Sequence, residues 1–196
     1  MKAELPADCD LLRAYCNAGD QAAFGALYDR YDQRCFLFIR RTLGSAHAGA
    51  AEDLHQETWI AVSVRGSTFD PDKASFCTWL FSIARNKVLD HFRKQKVAFI
   101  ASSDPAVAQE VEDVATTAAG PQEEVASREM AHAIVTAVEA LPFQQRETFM
   151  MFAEGEMRLD EIAAATRVGV ETAKSRLRYA RAALRTVLWH WGHTNE

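Results

Sequence analysis

Between residues 171 and 185 the chain places Glu171, Thr172, Lys174, Ser175, Arg178, Tyr179 and Arg185 on one side of a helical repeat. Ala173, Leu177, Ala180 and Leu184 recur at i, i+4, i+7 and i+11 as one apolar stripe on the other. A helix lying in a DNA major groove needs this division: an anchored back, and a front of donors and cations. Arginine can bond guanine bidentately, while serine and threonine serve a base or a phosphate. Arg176 and Arg181 lie at the flanks, where phosphate contacts fit better.

Two further groups carry chemistry. In residues 69–96, Asn86, Lys87, Asp90, His91, Arg93 and Lys94 stand among Phe76, Trp79, Leu80, Ile83, Val88 and Phe92. Cations and an amide beside aromatic rings suit single-stranded DNA, whose bases can leave the stack. Most of the apolar set has core spacing, and Phe76 and Trp79 are more often core than base platforms. In residues 51–62, Asp53, Gln56 and Glu57 lie at i, i+3 and i+4 and share one helix face. Such a face suits a basic protein surface and does not suit DNA, although solvation alone would also account for it. No acid–base–nucleophile set and no phosphate-cradling glycine loop accompanies these groups, so catalysis is not expected.

Helices must position all three. Nearly every periodic segment has helical spacing, and strand and hairpin signals are absent, so the fold class is all-α. Asp20 reads as the N-cap of a helix whose apolar positions run from Phe24 to Ile39. A break follows at Gly44-Ser45 and near Gly49. Helices are predicted from about Ala51 to Val64, from Ser75 through Gln95, over 128–140 and over 143–154. Phe69-Asp70-Pro71-Asp72 reads as a turn. A short helix with Leu159, Ile162 and Ala163 inward then meets the turn Thr166–Val170, where Gly169 would relax the backbone and Val168 and Val170 would plug the core. The cationic helix starts near Glu171. This helix–turn–helix order is more specific than an ordinary bundle helix.

Charge divides the chain in three. The 196 residues carry a net −5, which at first argues against nucleic acid. Residues 1–96 are net +1, residues 97–140 net −7, and residues 141–196 net +1. Within the flanking parts, Arg85, Lys87, Arg93, Lys94 and Lys96 face only Asp90, and Lys174, Arg176, Arg178, Arg181 and Arg185 face only Glu171. Either cluster alone fits a solvated helix face; the two together favour a two-point polyanion contact. Residues 97–127 are rich in Ala, Ser, Thr and acids, contain Pro105 and Gly120-Pro121, and read as a flexible acidic linker. The expected architecture is therefore two small helical domains, 1–96 and 128–196, joined by that linker. No run of 18 apolar residues exists and the N-terminal stretch carries acids, so neither membrane insertion nor a signal peptide is expected, and a cytosolic location is. Cys9, Cys16, Cys35 and Cys77 form no Cys-x-x-Cys pair and lack a neighbouring histidine cluster. Reduced, partly buried thiols are expected, with no metal and no cofactor.

The stretches GDQAAFGALYDRY, AEDLHQETW, FDPDKASFCTWLFSIARNKVLDHFRK, ALPFQQRETF and LDEIAAATRVGVETAKSRLRYARAALR together resemble the sigma-70 family of bacterial RNA polymerase sigma factors, in the small extracytoplasmic-function (ECF) group. Their order matches that family's regions 2 and 4. The resemblance implies that Asp53, Gln56 and Glu57 dock on the β′ clamp helices of core RNA polymerase. It implies that the loop Phe69–Phe76, with Asn86, Lys87, His91, Arg93 and Lys94, opens and reads the −10 element as single strand. It places Glu171, Thr172, Lys174, Ser175, Arg178 and Tyr179 in the −35 major groove, with Arg176, Arg181 and Arg185 on the backbone, and region 4 on the polymerase β flap. It further implies promoter DNA and an anti-sigma factor as partners, and no small-molecule substrate. Two departures stand out. Many relatives have glycine near Glu156, whereas here Gly155 sits one position earlier, which predicts a shifted turn. Ala173 replaces the commoner valine. The tail VLWHWGHTNE reads as a packed helix end.

The competing reading is a stand-alone helix-turn-helix regulator. It would bind duplex DNA unaided, usually as a dimer, and would not need Asp53, Gln56 and Glu57. An enzyme with an appended DNA-binding domain lacks a constellated site.

Overall fold

A computed structural model describes residues 6–101 and 123–194. Among them the chain forms eight α-helices and no strand: α1 (Asp8–Ala18), α2 (Gln21–Leu43), α3 (Ala51–Arg65), α4 (Phe76–Ala101), α5 (Glu123–Glu139), α6 (Phe143–Ala153), α7 (Leu159–Thr166) and α8 (Val170–Thr194). Most of the linker segment, 102–122, lies outside the described residues. The flanking helices nonetheless run into it at both ends, because α4 continues to Ala101 and α5 starts at Glu123.

Local chemistry sets these boundaries. The Asp20 carboxylate accepts from Ala22 N–H at 3.0 Å and Ala23 N–H at 3.1 Å, capping α2 as expected. Helix α1 was not anticipated from the sequence. It ends at Gly19, whose φ of 67° lets its own N–H reach the Tyr15 carbonyl at 2.9 Å and the following Asp20 N–H the Ala14 carbonyl at 3.5 Å. Leu11 and Leu12 are buried on it, and the Asp8 carboxylate receives both Arg30 and Tyr31 from α2.

The N-terminal half packs α1–α4 around aromatic residues. Phe38 meets Phe81 edge to face at 5.3 Å, and Tyr31 meets Phe76 at 5.4 Å. The C-terminal half packs α5–α8 around smaller side chains: Ala163, Ala173 and Ala180 with Met150, Met151 and Ile162. All four stripe residues of α8, Ala173, Leu177, Ala180 and Leu184, are buried as the spacing required.

The two halves meet through polar and apolar contacts from α2 and α4 to α6, α7 and the turn between those two. Arg34 Nε donates to the Glu154 carbonyl at 2.7 Å, and Arg41 Nη1 to the Glu154 carboxylate at 3.0 Å. Cys77 Sγ donates to the Gly155 carbonyl at 2.9 Å, and Thr78 Oγ1 to Glu161 Oε1 at 2.6 Å. Arg85 Nε donates to Glu147 Oε1 at 2.6 Å, with the Glu147 side chain 2% exposed. Phe92 and Phe143 meet edge to face at 5.5 Å.

Candidate nucleic-acid interface

The helix-turn-helix is α7 and α8. Its turn differs from the sequence expectation in two ways. The left-handed residue is Arg167, at φ 57°, while Gly169 has no positive φ. Arg167 N–H and Val168 N–H reach back to Ala164 and Ala163 carbonyls, so the reversal is made at the C-cap of α7. Val168 packs against the core, but Val170 is 47% exposed and does not plug it. It stands instead at the first turn of α8, beside Glu171 and Thr172.

On α8 the outward set is as the periodicity predicts. Glu171, Thr172, Lys174, Arg178, Tyr179, Arg181 and Arg185 are exposed, and Ser175 and Arg176 half-buried. Lys174 lies 3.6 Å from Glu171. Arg176 donates to Gln144 Oε1 at 2.9 Å, which ties it to α6 and keeps it at the flank. Arg178 lies 5.1 Å from the Tyr179 ring centroid and Arg181 4.3 Å from that of Phe152, so two cations are held over aromatic faces.

The second surface lies on α4 and the loop before it. Asn86, Arg93 and Lys94 are exposed, and Lys87, His91 and Phe69 half-buried. Burial, with His47 and Lys94 nearby, holds the His91 imidazole below its ordinary value. Phe76 departs from the expected surface. It is 2% exposed, enclosed by Tyr31, Phe69 and Trp79, and cannot stack on a base in this arrangement. Its ring supports Phe69, the aromatic residue of the loop that keeps partial exposure. Arg85, the first cation of the cluster, is withdrawn into the ion pair with Glu147. Burial pushes the Glu147 carboxyl up, and the Arg85 guanidinium pulls it back down.

The third surface is on α3. Asp53, Gln56 and Glu57 are all exposed on one stripe, with Leu54, Thr58, Trp59 and Val62 buried behind them. The Lys87 hydrogen bond holds the Glu57 carboxyl below the usual carboxylate range. The stripe continues into Ile60, 61% exposed, and Val64, 73% exposed. Sequence reasoning missed these two, although Glu57, Ile60 and Val64 continue the i+3, i+4 spacing. Burial of the thiols matches expectation: all four cysteines are free, Cys35 is buried, and burial pushes the Cys77 thiol up to about 12. Among the described residues no three His, Cys, Asp or Glu side chains gather to hold a metal, and no helix is long and apolar enough to cross a membrane.

Known proteins share this arrangement. Residues 27–97 match the model of sigma-70 region 2, and residues 131–184 that of sigma-70 region 4. The ECF RNA polymerase sigma factor SigW of Bacillus subtilis is 31% identical over 173 residues, covering 87% of this chain and 91% of the relative. The chain belongs to the sigma-70 family, in its ECF group. The ECF RNA polymerase sigma factor RpoE of Cereibacter sphaeroides is 31% identical over 178 residues, covering 89% of this chain and 91% of the relative. Among solved structures, CnrH in complex with the cytosolic domain of CnrY aligns with a TM-score of 0.64 at 25% identity, covering 93% of this chain and 97% of that chain.

In this ECF sigma factor, the region 2 match begins within α2 and ends within α4, and the region 4 match begins within α5 and ends within α8; α1 precedes the matched segment. The shifted glycine has a physical reason. A Cβ at Gly155 would lie 2.4 Å from the Met151 carbonyl, so this position closes tightly on α6. Glu156 then takes φ 49° to lead into α7. Ala173, the other departure, is fully buried, and a larger side chain there would have to displace its neighbours.

Proposed function

We propose that this sigma factor binds core RNA polymerase through α3 and directs it to promoters through two DNA surfaces. Region 4 seats α8 in the −35 major groove, with Lys174, Ser175 and Arg178 facing bases and Arg176, Arg181 and Arg185 facing phosphates. Region 2 takes the −10 element as single strand on α4 and the Phe69 loop, where a flipped base offsets part of the cost of unpairing. Synthesis of RNA belongs to the polymerase; this chain supplies the address and assists opening, in the cytoplasm. The two DNA modules raise each other's effective concentration across the acidic linker. An anti-sigma factor is the partner expected to hold the chain idle.

One observation carries the reading beyond a stand-alone regulator. Asp53, Gln56 and Glu57 are exposed together on a stripe whose opposite side is core. That stripe serves a protein with Arg on its surface, where charge-assisted bonds form, and serves no DNA contact. The test is gel filtration with core RNA polymerase, wild type beside the double variant Asp53→Lys/Glu57→Lys. Wild type co-elutes and the double variant does not. Retention of both would move the docking contact off α3; loss of both would leave the helix-turn-helix regulator as the better account.

A further inference from the structure

We propose that Val170 is a specificity-determining residue of region 4 that reads the C5-methyl group of a thymine in the −35 element. The inference rests on the sigma-factor reading, which seats α8 in the major groove, and adds a residue to that contact.

The sequence pattern predicts Val170 as a core plug, yet it stands 47% exposed. The apolar stripe of α8 begins instead at Ala173, which is fully buried. Val170 belongs to a different row. With Lys174 and Arg178 it makes the series i, i+4, i+8, a ridge whose other two members are exposed cations. Folding does not account for a valine at its head. The start of α8 is fixed by the backbone, where Thr172 and Ala173 N–H donate to the Gly169 carbonyl at 3.0 and 3.1 Å. Valine is a mediocre helix former, and a half-exposed one gains little from burial.

The chemistry of the groove narrows what this side chain can read. An isopropyl group has no donor and no acceptor, so phosphates and guanine edges offer it no bond. The thymine methyl is the one apolar feature that an unmodified base pair presents in the major groove. Residues in the first turn of the second helix are those that reach base edges in this motif. Approach is open there. A Cβ built on Gly169 would meet no atom of the described residues within 4 Å, its chain neighbours apart. Farther along the ridge, Lys174 and Arg178 supply donors for acceptors such as guanine O6 and N7. The ridge therefore suits a −35 sequence in which acceptor-rich base pairs stand beside a thymine.

The test uses holoenzyme formed from the full chain and core RNA polymerase. A promoter library randomised over the −35 region is selected by binding, and the best-retained duplex becomes the probe. Each −35 thymine, on either strand, is replaced singly by deoxyuridine, which removes the methyl group and keeps every hydrogen-bonding group. Affinity is read by competition in fluorescence anisotropy. One replacement weakens wild type about fourfold, the loss of one buried methyl group. The same replacement leaves Val170→Ala unchanged. Both duplexes are compared within one variant, so any effect of the substitution on folding cancels. A uracil cost that persists in Val170→Ala gives the methyl group to another residue and overturns the proposal, as does the lack of any uracil cost in wild type. Selection of a −35 sequence without a Val170-dependent cost sinks this inference alone. No sequence selected by holoenzyme over core polymerase sinks the sigma-factor reading and the inference with it.

Discussion

The two basic clusters carry the same net charge in sequence and meet opposite fates in the fold. In the first, Arg85 is buried against Glu147, Lys87 is held by Glu57, and Arg93 by Asp90. In the second, only Lys174 has a carboxylate partner among the described residues, at 3.6 Å and fully on the surface. Arg178 and Arg181 lie over aromatic rings, and Arg176 donates to the Gln144 amide oxygen. The region 4 cluster is therefore open to a polyanion in the free chain, whereas three of the five cations of the region 2 cluster are matched internally. Counting charges along a sequence does not separate these cases. Carboxylates from three different helices decide them.

The largest effect that would sharpen this contrast comes from Arg85→Met. It leaves Glu147 buried without its partner, which costs about 3 kcal/mol in urea unfolding at pH 8. The cost shrinks at pH 5. Without Arg85, burial raises the Glu147 carboxyl further, so the folded chain holds a proton that the unfolded chain releases. The stability of that protonated form is full at acid pH and lost as pH rises through the folded value. A pH-independent loss below 1 kcal/mol would show that Arg85 is not structural. Next in size, Lys174→Ala and Arg178→Ala each weaken −35 recognition by about 1–3 kcal/mol where they touch bases. Both leave the urea midpoint unchanged. A mobility-shift series with core polymerase and single-base −35 variants checks this, and unchanged preference at every position would remove the assignment. The smallest effect is from Asn86→Ala, worth about 1 kcal/mol for one lost hydrogen bond. It impairs strand opening more than closed-complex binding. Equal permanganate reactivity of the −10 thymines in wild type and variant would count against it.

Where the sequence was legible, periodicity met a local rule. The apolar stripe of α8, the Asp20 cap, and the exposed Asp53–Gln56–Glu57 face depend only on spacing along one helix. Where it was not, a distant element intervened. Phe76 has the same local pattern as a base platform, but Tyr31 and Trp79 close over it. Helix α1 is short and has no side-chain cap at Ala7 to mark its start, and is held by Asp8 contacts to Arg30 and Tyr31 on α2. Gly169 looked like the special residue of the turn, yet Arg167 takes the left-handed conformation because the α7 C-cap falls there. Ile60 and Val64 showed the right spacing, and only their exposure distinguishes them from core.

By itself the sequence determined the all-α class, the order of the helices from α2 onward, and the residues that face outward on α3 and α8. Each follows from a period of 3.6 and from the cost of leaving an apolar stripe in water. Only the tertiary structure decided which charges remain available. That choice depends on carboxylates such as Glu147 and Glu57 reaching within 3 Å of a cation on another helix. Electrostatic pairing acts through space, and spacing along the chain does not encode it.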